Sequence, residues 1–300
     1  MKKMTSLLLV FTMMMVSAWS VSAATDSRDI YINVNGTNAQ TETPPILTKE
    51  GRVLIPIRTL ESLGLTYSWN SSSKTATVTD ESGDEIKITV NHTTASKNGS
   101  TVTLDAPAQV LQGRTMVPVR FISEAFDSDV VWNAAERIVY VAKTDQNIKD
   151  QLASGDLNEA RSAALTLPQI SSLPTIEANG SNTSMLSVYF IEGQSDIFFL
   201  SQAGVISGYE VGENAAWRVW SGKLQEGSNK NPLFFLPGQG VTEEVGTRLR
   251  GQTSMVYYEI STHAGQAKYG KIDQQGNYSE LGTQEMGSMG DIFPIEEENK

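Results

Sequence analysis

Apolar and polar residues alternate at Ile30, Ile32 and Val34 and again at Ile86, Ile88 and Val90. A period of two marks a strand with one buried face. Asn35-Gly36 ends the first such run as a turn, and Glu50-Gly51 and Gln112-Gly113 feed two further strands at 52–57 and 114–119. Pro56 and Pro118 cannot donate to a ladder, so they belong at a sheet edge or a strand end. A short helix follows each strand, roughly 58–63 and 120–126, with Ile57, Leu60 and Leu63 spaced for one buried face. Gly64 suits the left-handed residue that closes the first helix, and Asp127 takes the same place after the second. Hairpins then start at Tyr67-Ser-Trp69-Asn70 and Val130-Val-Trp132-Asn133 and return through 75–78 and 138–141.

These elements form an internal repeat. Arg52-Val-Leu-Ile-Pro-Ile-Arg58 matches Arg114-Thr-Met-Val-Pro-Val-Arg120 at an offset of 62, and one inserted residue near Phe121 moves Glu61, Trp69 and Asn70 onto Glu124, Trp132 and Asn133. A single copy has few large apolar residues, so the two copies are expected to pack as one domain. The expected class is α+β, mostly β: a doubled β-rich unit with one short helix per copy, then a short helical segment and a second all-β-like domain.

The paired R-x-x-[IV]-P-[IV]-R pattern, the Glu-bearing helix, the Trp-Asn step and the hairpin resemble the copper amine oxidase N-terminal-like domain, or stalk domain, of exported proteins in Gram-positive bacteria. The resemblance covers about residues 28–145. It implies a structural or interaction module at the cell surface, because in copper amine oxidases this domain is an appendage remote from the copper and the quinone. The oxidase chemistry itself is not expected. The family's quinone-forming Tyr lies in an Asn-Tyr-Asp/Glu setting, whereas the only Asn-Tyr step here, Asn277-Tyr278, precedes Ser279, and the chain has only two histidines. Structural roles are expected for Arg52, Pro56, Arg58, Glu61, Trp69, Asn70, Arg114, Pro118, Arg120, Glu124, Trp132 and Asn133. Arg58 and Arg120 would bond loop carbonyls or Glu61 and Glu124, and Trp69 and Trp132 would pack against the core rather than stack on sugar.

After residue 145 the pattern changes. Residues 146–170 are Ala-rich, with Asp156 as N-cap and Pro168 as stop, and read as a helical connector. Residues 171–184, rich in Ser, Asn, Thr and Pro, are the linker candidate. Strands are expected at 186–191, 197–200, 205–211, 216–220, 233–236, 255–260 and 267–272, placing a meander, sandwich or barrel of unrecognised family at 185–281. Residues 282–300 read as a flexible acidic tail in which Ile292-Phe-Pro-Ile295 is suited to docking on a surface.

Composition sharpens location more than chemistry. Met1-Lys-Lys, an apolar run from Leu7 to Val16 and small residues before Ala23 and Ala24 read as a signal peptide over 1–24, cleaved after Ala23 or Ala24. Cleavage removes Lys2 and Lys3 and takes the net charge from −11 to −13. The mature chain is thus expected to be secreted or associated with a Gram-positive cell wall, with no stable membrane insertion. Its acidity opposes nucleic-acid binding. Without Cys there is no disulfide framework or thiol nucleophile, and His92 and His263 cannot supply a three-His metal site.

No G-x-S-x-G or H-E-x-x-H occurs, so no catalytic, cofactor or metal residues are assigned. The expectation is a non-enzymatic structural or binding protein whose partner is cell-wall polymer or another envelope protein, recognised by the C-terminal β domain. Trp217, Trp220, Tyr257 and Tyr258 are the speculative stacking residues there. One alternative is a cell-wall carbohydrate hydrolase drawing two carboxylates from Glu192, Glu210, Glu243, Glu244 and Glu259. The other is a purely structural surface spacer.

Overall fold

The computed structural model describes residues 29–178, 184–225, 240–249, 254–261, 263–286, 288, 290–292 and 294–297. The signal peptide expected over 1–24 and the strand expected at 233–236 lie outside the described residues.

In the first half, β1 (Tyr31–Val34), β2 (Thr37–Asn38), β3 (Ile46–Leu47) and β4 (Val53–Pro56) lead into a 3-10 helix (Ile57–Leu63). Strands β5 (Thr66–Asn70), β6 (Thr75–Thr79), β7 (Glu85–Thr89), β8 (Thr94–Lys97) and β9 (Ser100–Thr103) form one antiparallel sheet in chain order. The second copy continues with β10 (Gln109–Leu111), β11 (Arg114–Pro118), α1 (Val119–Ala125), β12 (Asp129–Asn133) and β13 (Ile138–Ala142). Two further sheets run in the orders β12-β13-β1-β2 and β10-β11-β4-β3.

The repeat closes on itself. Strands β4 and β11 pair antiparallel with Ile55 opposite its own counterpart Val117, so a local two-fold relates the copies at that pair. Both prolines end their strands, where a missing N–H costs no ladder bond. Parallel pairing of β1 with β13 ties the start of the domain to its end. Side chains of both copies, among them Ile32, Ile55, Leu60, Val78, Ile86, Val117, Ile122, Phe126 and Val141, share one core. Gly64 closes the 3-10 helix at φ +76°, donating its N–H to the Glu61 carbonyl; Asp127 does the same after α1 at φ +58°.

The second half begins with two capped helices. Asp145 accepts from the Ile148 N–H (3.0 Å) to cap α2 (Gln146–Leu152). Asp156 accepts from Asn158 and Glu159 (2.8 and 3.1 Å) to cap α3 (Leu157–Thr166). Then come β14 (Gln169–Ile170), β15 (Met185–Ile191), β16 (Ile197–Gln202), β17 (Val205–Val211), β18 (Ala216–Leu224), β19 (Val241–Gly246), β20 (Met255–Ser261), β21 (Gln266–Ile272) and β22 (Tyr278–Glu285). They make one sheet, a half-barrel ordered β14-β18-β17-β16-β15-β20-β21-β22, with β19 also on β18. Both faces are buried: Val188, Phe190, Phe198 and Tyr258 point to one core, Tyr189, Phe199, Ile206, Trp220 and Tyr257 to another.

Residues 146–170 are therefore more than a connector. Ile148, Leu152, Ala164, Leu165 and Leu167 cover the first of those faces, because a strand apolar on both sides needs a second layer. Residues 171–176 do not behave as a free linker: Ser171 and Ile176 are buried, and Arg218 donates to the Ser171 hydroxyl (3.0 Å) and the Leu173 carbonyl (2.9 Å). Within the segment expected as a flexible tail, 282–285 are strand, and Ile292 and Ile295 are docked, as their apolar character suggests. Residues 278–285 form β22 on the edge of the sheet, and Ile292 and Ile295 are buried against α3 and the sheet, so apolar burial outweighs the acidic character of the segment.

The two halves meet at the second copy's Trp-Asn hairpin. Asn133 is fully buried; its amide donates to the carbonyls of Ser171 (3.2 Å) and Leu173 (3.0 Å), while its oxygen accepts from the Glu136 N–H (3.1 Å). Asn214 answers from the other side, with its Oδ1 and backbone carbonyl bonded to Thr144 and its amide donating to the Asp127 carbonyl (3.1 Å). Ala142, Ile170 and Ala215 fill the joint, with Val131, Tyr140 and Trp217 packed around them. Asn70, the counterpart in copy one, is exposed and caps its own turn through Ser72 and Ser73. Asn133→Ala is therefore expected to cost about 2 kcal/mol, since it strands buried carbonyls, and Asn70→Ala about half of that or less. Urea unfolding of the two variants checks the difference; equal losses would mean that the joint contributes nothing.

Candidate functional site

An opening of about 730 Å3 lies on the outer face of copy one, against the β10–β11 turn of copy two. Its position follows from local chain geometry. Pro56 ends β4 and starts the 3-10 helix at once, which sets Arg58, Thr59 and Glu61 along one wall. Strand β5, an edge of its sheet, supplies Tyr67, Ser68 and Trp69. Opposite it, the edge strand β10 contributes Val110, and the tight turn at Gln112-Gly113, both at positive φ (+51° and +76°), brings in Arg114 and Thr115. Gln40, Thr41 and Glu42 complete the rim.

Trp69 is 46% exposed, contrary to the expected core role, because the outer face of β5 is left uncovered. Its counterpart Trp132 is half-buried and packs against the shared core. Arg58 is exposed and, among the described residues, makes neither an ion pair nor a hydrogen bond, so the expected link to Glu61 or a loop carbonyl is absent. Arg114 ion-pairs with Glu42 across the rim. The Tyr67 hydroxyl is buried without a partner. Burial, helped by the Glu61 charge and opposed by that of Arg58, raises its pKa well above the ordinary 10.0, so the phenol stays protonated.

The groove thus gathers Pro56, Arg58, Glu61 and Trp69 of copy one with Arg114 of copy two. The remaining motif residues lie elsewhere. Arg52 pairs with Asp105 (3.4 Å), Arg120 meets Glu124 at 3.9 Å on the exposed face of α1, Pro118 ends β11, and Asn70 and Asn133 serve the turn and the joint. Sequence reasoning missed Tyr67, although Tyr67 and Trp69 stand two apart and therefore on one face of a strand. Glu42 and Val110 carry no comparable signal.

The aromatic residues proposed for stacking in the second half do not form a platform. Trp220 and Tyr258 are fully buried, Tyr257 is 3% exposed, and Trp217 packs in the joint. Of the five carboxylates considered for hydrolysis, Glu192 is held by Lys271 (3.3 Å) and Glu244 by Trp220 Nε1 (3.0 Å) and Arg248 (2.7 Å). The indole hydrogen bond, with help from Arg248, lowers the Glu244 pKa from its ordinary 4.5, the opposite of what a general acid needs. Glu210 and Glu243 are exposed on separate strands, and Glu259 is half-buried on β20.

His92 and His263 sit in exposed turns, and among the described residues no three His, Asp or Glu side chains gather where they could hold a metal. A three-histidine copper site does not fit this chain. No helix among the described residues is long and apolar enough to cross a membrane.

A comparison with curated proteins finds no match to the chain. The doubled unit does find one: residues 33–141, about a third of the chain, match the family model of the copper amine oxidase N-terminal domain, and it is to this domain that the repeat is similar.

Proposed function

We propose that this is a non-enzymatic, exported protein that works as a structural and binding element at the bacterial cell surface, holding cell-wall polymer or another envelope protein. Recognition is assigned to the open face of copy one instead of the C-terminal sheet. The observation that carries this reading is the unequal use of two equivalent hairpins: Asn133 of copy two is buried against the second half, whereas Trp69 of copy one faces solvent at the mouth of the groove. A duplicated surface occupied in one copy and open in the other supports a partner for the open one. An exposed large aromatic beside a cavity is the usual mark of such a surface.

Export rests on the N-terminal pattern of Lys2-Lys3, the apolar run and the small residues before Ala24. The hydrolase alternative draws little support from carboxylates that are ion-paired or spread over separate strands. A pure spacer would leave Trp69 without a role.

The test is to incubate the mature chain with isolated bacterial cell walls. Saturable co-sedimentation without release of soluble fragments is expected, and Trp69→Ala is expected to lose most of it with an unchanged thermal midpoint. Release of fragments would establish hydrolysis instead, and absence of saturable binding would leave the spacer.

A further inference from the structure

Resting on the assignment of the open face of copy one as a binding surface, we propose that the groove takes a neutral, hydroxyl-rich saccharide chain. One ring stacks on Trp69, and its hydroxyls are held by Arg58 and Glu61.

The chemistry of the lining selects this class. The flat C–H face of a pyranose ring carries the partial positive charge that the negative face of an indole attracts, and the Trp69 indole is 46% exposed at the groove wall. Around it stand groups that suit hydroxyls, each of which is both donor and acceptor. Arg58 offers its guanidinium donors with no protein partner among the described residues, and Glu61 offers acceptors.

Charge then separates neutral from ionic polymers. The lining carries Arg58 and Arg114 against Glu42 and Glu61, and Arg114 is already neutralised by Glu42. With the signal peptide removed, the chain carries −13, which repels a polyanion at long range. A polycation would meet the unpaired Arg58. The volume of about 730 Å3 falls within the ~300–1,000 Å3 of small-ligand sites, so it fits a short stretch of chain rather than a folded partner.

Calorimetric titration of the full mature chain tests this with three kinds of probe: the neutral oligosaccharides chitohexaose and cellohexaose, the polyanion polygalacturonate, and a neutral Gly/Ser-rich peptide. Saturable binding of at least one neutral saccharide is expected, weakened about tenfold or more by Trp69→Ala and by Arg58→Ala. Both side chains are exposed, so both variants should fold as the parent does, which their thermal unfolding verifies. Preference for the polyanion or the peptide, binding that ignores both substitutions, or no saccharide binding at all overturns the proposal. If the parent is retained on cell walls and Trp69→Ala is not, while neither neutral saccharide binds, the saccharide assignment fails and the binding face stands. If Trp69→Ala changes neither readout, both fail.

Discussion

Replacing Glu297 by Ala is expected to lower the free energy of unfolding by about 3–5 kcal/mol, the usual cost of leaving one member of a buried ion pair alone. Arg161, on α3, is completely buried, and Glu297 is nearly so. The guanidinium bonds the carbonyls of Gln194 (Nε, 2.8 Å) and Ile191 (Nη2, 3.1 Å), lies 5.2 Å from the centre of the Phe190 ring, and is gripped by both Glu297 oxygens. One of those oxygens also accepts the Gly193 N–H. Removing the carboxylate leaves a charge in largely apolar surroundings, with the two carbonyls, the Tyr258 hydroxyl and the Phe190 ring around it but no counter-ion. The paired substitution Arg161→Leu with Glu297→Leu should recover most of the loss, because the penalty belongs to the unpaired charge more than to the missing attraction. Denaturant unfolding of the two single variants and the double variant checks this. Additive losses would show that Arg161 and Glu297 act separately and that the C-terminal segment is not locked down through this pair.

That lock was hard to read in the sequence. Glu296-Glu297-Glu298 looks like a solvated end, and nothing in its composition identifies a buried arginine 136 residues away. Strands β19 and β22 are nearly all exposed, so hydropathy gives them no period; they are strands because β18 and β21 offer them partners. The repeat is legible, since an offset of 62 aligns Arg52–Arg58 with Arg114–Arg120, and Ile55 and Val117 of the two copies lie in one core. Parallel pairing of β1 with β13 is not, because a period of two marks a buried face but not a neighbour.

The candidate site shows the same division. Trp69 and Trp132 occupy equivalent motif positions and differ only in what the rest of the chain lays beside them, which no local pattern encodes. In the second half the continuous apolar run of β15, with Val188 and Phe190 on one face and Tyr189 and Ile191 on the other, already called for covering layers on both sides. Reading it that way places the helices of 146–170 in the fold and leaves less reason to expect an open aromatic platform on that sheet.

Trp220 gives that last point its measurable form: Trp220→Ala is expected to cost about 3–5 kcal/mol, as befits a fully buried indole, and to unfold the second half most easily. The side chain packs with Tyr189, Phe199, Ile206 and Tyr257, with the Arg248 guanidinium 5.0 Å above its ring. Its N–H donates to Glu244 Oε2 at 3.0 Å, which Arg248 Nε also reaches at 2.8 Å. Trp220→Phe keeps most of the apolar volume and loses that hydrogen bond, so its cost should be only about 1–2 kcal/mol. The pH dependence separates the two contributions. Glu244 has a lowered pKa in the folded state, chiefly through the indole bond, so it adds stability above its unfolded pKa that is lost as pH falls through the folded value. In Trp220→Phe that acid-side loss becomes smaller, whereas a purely steric role would leave it unchanged. Because the residue is sealed in the core, Trp220→Phe should bind cell walls as the parent does while Trp69→Ala does not. The reverse pattern would return recognition to the C-terminal sheet and make the groove of copy one an unused surface.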